Sequence, residues 1–96
     1  MDNSRTSENL AWAGRLRIEV IDTDLDVGAT FVQIAERQVN TCRARAESLI
    51  LKAREAYEAT GRFLAKVDDR RSHQRLTTRR KALGRSIWHV ERLLRE

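Results

Sequence analysis

Proline is absent from all 96 residues, so no ring forbids the backbone hydrogen bonding of long helices. A single cysteine, Cys42, excludes an internal disulfide. No Cys/His cluster has the spacing of a metal site, and none of the residues calls for a cofactor. Apolar runs are short, far from the ~20 residues of a membrane span. The first residues, Met1–Asn9, are polar and lack the apolar core of a signal segment. These absences lead us to expect a soluble, cytoplasmic protein. A chain this short forms one domain with a small core, and without disulfides or metals it gains from association.

Charge is plentiful. The formal net charge is +5, but it is distributed unevenly. Residues 1–48 carry a slight acidic excess, and the whole of the basic excess lies in 49–96. Seven cationic side chains and no acid occur between Arg70 and Arg85. Such a patch suits nucleic acid, an acidic protein or an anionic surface. It is equally the ordinary look of a solvated helix face.

Four glycines and strong 3.6-residue periodicity point to an all-α protein. Residues 1–9 read as a tail. Leu10–Ile21 is ambiguous, because Leu16, Ile18 and Val20 alternate as in a strand that has no partner. We therefore expect a loose N-terminal arm over 1–21, with Trp12 and Leu16 free to pack, followed by a helical domain over 22–96. Thr23 or Asp24 is placed to cap a helix start, and Asp24 and Asp26 suit its positive end. From Leu25 an apolar stripe passes through Val32, Ala35, Val39, Cys42, Ala46, Leu49 and Ala53 to Phe63 and Val67. Phase alone allows one rod. Asn40 and Thr41 favour a turn, and the breadth of the stripe suits a central helix with two neighbours. The expected helices are 24–38, 42–66 and 69–95, with Asp68 or Asp69 capping the last.

Phe31, Ile34 and Ala35, with Ala46, Ile50 and Ala53 after the turn, resemble a single tetratricopeptide unit, although Gln38 stands where that family has an aromatic. Thr30, Phe31, Ala35, Ala53, Ala56, Tyr57 and Phe63 are also similar to a pattern in small bacterial helical proteins. The resemblance implies a helical hairpin that binds proteins and has no catalytic site.

The terminal segment Asp69–Glu96 sorts most cleanly. Leu76, Leu83, Ile87, Val90 and Leu94 share one face, to be packed on the central helix, with Gly84 allowing close approach. Arg70, Arg71, Arg75, Lys81, Arg85 and Arg92 lie opposite, and Trp88 lands among them. An exposed indole ringed by cations is suited to anchoring a protein interface or stacking on a base. The bland alternative is that the arm around Trp12 covers it. His73 and His89 point to polar sides, and Cys42 reads as a buried small hydrophobe, so neither nucleophilic catalysis nor a Cys/His metal site is supported. Glu19, Asp22, Asp24 and Asp26 lack the pattern of a calcium loop. Capping, or pairing with the basic terminal helix, explains them more simply.

Two functions fit. The first is a non-catalytic protein-interaction module, self-associating or binding another protein, with Arg75, Lys81, Arg85, Trp88 and Arg92 as the contact face and Leu51 and Leu93 as further apolar contacts. The alternative is weak, sequence-independent nucleic-acid binding through the same basic helix.

Overall fold

A computed structural model describes the backbone of residues 3–96 and the side chains of residues 12–96. Helix α1 spans Asn3–Gln38, α2 Arg43–Leu64 and α3 Arg70–Arg95. The protein is all-α, with three helices. The Cα atoms extend over 62 × 20 × 15 Å, an elongated body set by the length of α1.

The expected arm over 1–21 is corrected: its described part is helical and continuous with the rest of α1. Ile18 packs against the core and Ile21 is fully buried within it, so the boundary placed after residue 21 runs through the packed interior. The apparent strand alternation is two helical stripes overlaid. Ile18, Ile21 and Leu25 recur at helical spacing on the inner side, while Trp12, Leu16 and Val20 do so on the outer side. Gly14 alone cannot break a helix that these stripes anchor, since it costs only about 1 kcal/mol. Asp24 and Asp26 are consequently interior residues of α1 and cap nothing.

The break at Asn40–Thr41 occurs as expected. The Thr41 and Cys42 amides both donate to the Gln38 carbonyl, at 3.1 and 2.8 Å, ending α1 in a tight turn. Cys42 occupies the N-cap of α2 and makes no side-chain cap bond. It is exposed, which corrects its placement on the buried stripe. The 3.6-residue phase runs on through the turn, but the backbone there has left the helix. Helix α2 continues past Gly61 and ends at Leu64. Asp69 caps α3, its Oδ2 accepting from the Ser72 amide at 3.0 Å.

Helix α2 runs antiparallel to both neighbours, and α1 and α3 run side by side in the same direction. Asp22 meets Arg75, Gly28 meets Leu83 and Glu36 approaches His89, a steady offset along both helices. The core joins Ile21, Leu25, Val32 and Ala35 of α1, Ala46, Ile50 and Ala53 of α2, and Leu76, Leu83, Ile87 and Val90 of α3. The expected apolar face of α3 is buried but for Leu94, which is half-buried, and Phe63 of the expected stripe is exposed. Two close approaches need a residue without Cβ. At Gly84 a Cβ would lie 2.9 Å from the Tyr57 ring, and at Gly28 one would lie 2.9 Å from Leu83.

Candidate partner-binding face

Three cations of α3, Arg75, Arg79 and Arg80, reach acceptors on α1 and α2. Arg75 binds Asp22 through both terminal nitrogens, each at 2.8 Å, the bidentate geometry that suits a guanidinium. Arg79 reaches Asp22 and Asp26, each at 2.5 Å. Hydrogen bonds from Arg75 hold the Asp22 carboxyl below its ordinary pKa; partial burial opposes this and Arg79 adds to it. Arg80 stacks 3.8 Å from the centroid of the Tyr57 ring, while its Nε donates to the Tyr57 carbonyl at 2.8 Å. Two of the four clustered acids, Asp22 and Asp26, are thus partners of the basic helix, as the pairing expectation had it.

The side of α3 around Trp88 is different. Among the described residues, Lys81, Arg85 and Arg92 form no ion pair. Trp88 stands between them, 54% exposed, with Arg92 over its ring at 5.2 Å from the centroid. Lys81, Arg85 and Trp88 line an open groove between α2 and α3 of about 450 Å³, closed below by Tyr57, Gly84 and Ile87. Trp88 also walls a neighbouring groove of about 570 Å³, shared with Glu47, Ile50, Leu51 and Leu94. The Arg54–Glu91 ion pair crosses from α2 to α3 and lines both.

Of the five residues expected to share the face, the structure brings Lys81, Arg85, Trp88 and Arg92 together and turns Arg75 away toward Asp22. Leu51 is exposed on the same side. Leu93, expected beside it, packs partly against the core. Sequence reasoning missed Arg54, Tyr57 and Glu91 as walls of the grooves. Only Glu91 carried a local signal, three residues after Trp88 on the same helix. Trp12 does not cover Trp88, and is itself 60% exposed. The α1–α3 offset puts Trp88 level with the last turn of α1, about 35 Å along the axis from Trp12.

His73 lies 3.4 Å from the Thr77 hydroxyl, and His89 faces Glu36 at 3.7 Å. Among the described residues no cluster of His, Cys, Asp or Glu could hold a metal ion. Among them, too, no helix is long and apolar enough to cross a membrane. In comparisons with known proteins, no family model matches the chain, and neither does any curated protein or solved structure.

Proposed function

We propose that the protein is a non-catalytic helical interaction module that docks a protein partner on the Trp88 face. The observation that carries this is Trp88 itself, a large aromatic left half-exposed between two grooves, beside exposed Leu51. Tryptophan and arginine dominate the binding energy of protein interfaces. Here Arg85 and Arg92 flank the indole, and apolar walls from Ile50 and Leu94 lie next to it. The face suits an apolar helix or strand bordered by acids. The fully buried Ala35, Ala46 and Ala53 support a tetratricopeptide-like crossing in the α1–α2 hairpin.

Nucleic-acid binding is the second reading, favoured by the unpaired cations beside an exposed indole. It is the weaker one, because Arg75, Arg79 and Arg80 are engaged within the fold, and Glu47 and Glu91 place carboxylates in the grooves. Three cations give a log–log salt slope of only about −3 on duplex DNA.

The test compares wild type with Trp88→Ala as bait for crosslinked capture from native lysate, alongside anisotropy with labelled single-stranded and duplex oligonucleotides at low salt. The interaction reading predicts a protein retained by wild type, lost with Trp88→Ala and insensitive to nuclease, with no oligonucleotide binding. Oligonucleotide binding that Trp88→Ala abolishes would replace it with the second reading.

A further inference from the structure

The face of α1 turned away from the core carries a second apolar stripe. Trp12, Leu16, Val20 and Val27 are 60%, 44%, 40% and 43% exposed, although all four are large apolar side chains on a well-formed helix. Their spacing is that of a coiled-coil seam. Ala13, Val20, Val27 and Ile34 recur every seven residues, and Leu16, Thr23 and Thr30 fill the intervening positions. Val20, Val27 and Ile34 are the β-branched residues that favour a two-stranded pairing in the first series, while the second series holds one leucine, Leu16, and two threonines. This stripe lies roughly 130° around the helix from Ile21, Leu25 and Val32. A partner there would not disturb the three-helix body.

We infer that the occupant of this stripe is the same stripe of a second copy, with the two α1 helices antiparallel across a two-fold axis. Three observations select it. Knobs-into-holes packing needs a partner helix with matching three- and four-residue spacing, and α1 itself supplies one. Helix α1 has 36 residues, about 54 Å, against about 33 Å for α2 and 39 Å for α3. The α2–α3 connection meets α1 at Ala13–Ile18, so α1 continues some ten residues beyond it; a helix without a packing partner is marginal in water.

Charge fixes the direction. With Val20 level with the partner's Thr23, Leu16 faces the partner's Val27 and Arg17 comes beside the partner's Asp24, an attraction repeated by symmetry. Among the described residues Asp24 forms no ion pair, and Arg17 uses one terminal nitrogen on the Lys66 carbonyl, leaving others to donate. Antiparallel pairing also sets Glu19 toward the partner's Asp26, whose charge Arg79 already offsets. A parallel pair would instead oppose Glu19 to the partner's Asp24, with no cation between them. An isologous contact of this kind closes at two copies.

The experiment is sedimentation equilibrium of the full chain across the micromolar range, with variants on each face. Wild type is expected to be a dimer. Val20→Glu/Val27→Glu should weaken the dimer at least about 100-fold, because each pairing would bury unpaired carboxylates, while keeping a helical, cooperative melt. Leu51→Ala/Trp88→Ala should leave it unchanged, which separates this contact from the docking face proposed above. Direction is read by mixing Leu16→Cys and Val27→Cys chains, each also carrying Cys42→Ser. Oxidation should link 16 to 27 in preference to 16 to 16. A monomeric wild type, a dimer lost through Leu51→Ala/Trp88→Ala but kept by the double glutamate variant, or dominant 16-to-16 links would each overturn the inference.

Discussion

Two groups of cations on α3 carry the same kind of charge and use it differently. Arg75, Arg79 and Arg80 each find a fixed acceptor on α1 or α2, and so help to hold α3 in register. Lys81 follows Arg80 directly but on another side of the helix, Arg85 and Arg92 lie further along, and all three face solvent beside Trp88. The difference comes from what stands opposite. Asp22 and Asp26 of α1 stand opposite Arg75 and Arg79, whereas Lys81 and Arg85 border a groove with an exposed indole. A basic stripe is therefore not one functional unit; neighbouring helices divide it into a structural part and an available part.

The comparison presupposes the packing of α3, and Leu83→Asp breaks that most severely. Leu83 is buried against Gly28, and an aspartate there loses the apolar contacts and buries a charge, at about 4 kcal/mol or more. Its thermal melt, followed by circular dichroism, should lose cooperativity. Gly84→Val should cost less, about 1–3 kcal/mol, because the Tyr57 ring must move away from the new Cβ. Urea titration at fixed pH measures it.

Smaller effects sharpen the contrast between the two groups. Because the Arg pairs lower the Asp22 pKa in the folded state, their contribution is fully present above the unfolded carboxylate value near 3.9 and fades as pH falls through the lower folded value. Asp22→Asn should therefore cost up to about 1 kcal/mol at neutral pH, for a part-exposed pair. That difference should shrink toward zero in acid and weaken with added salt. The smallest stability effect belongs to the docking face: Trp88→Ala should change the unfolding free energy by no more than about 0.5 kcal/mol. In a Trp12→Phe chain, iodide should quench Trp88 fluorescence more than caesium does, since the surrounding cations attract the anion. Lys81→Glu/Arg85→Glu should reverse that preference.

Much of the fold is legible in local sequence. Asn40 and Thr41 mark the break between α1 and α2, Asp69 marks the start of α3, and Leu76, Leu83, Ile87 and Val90 mark its buried face, because each signal lies within one or two helical turns. The first half of α1 was obscured for a specific reason. It carries apolar residues on two sides, so Leu16, Ile18 and Val20 mimic a strand while belonging alternately to the outer stripe and the core. Cys42 misled because helical phase, extrapolated past Gln38, runs into a turn. The division of the basic stripe was not readable, since it depends on the register between helices more than fifty residues apart. That register sets Arg75 rather than Lys81 beside Asp22.

The central claim is that Arg75, Arg79 and Arg80 are spent on the fold and the cations around Trp88 are not. Urea denaturation of two charge reversals at low salt tests it most directly. Arg75→Glu/Arg79→Glu should lose about 1–3 kcal/mol, because it removes the ion pairs and sets like charges against Asp22 and Asp26. Lys81→Glu/Arg85→Glu should stay within about 0.5 kcal/mol of wild type. Equal losses, or a larger loss from the second pair, would contradict the account.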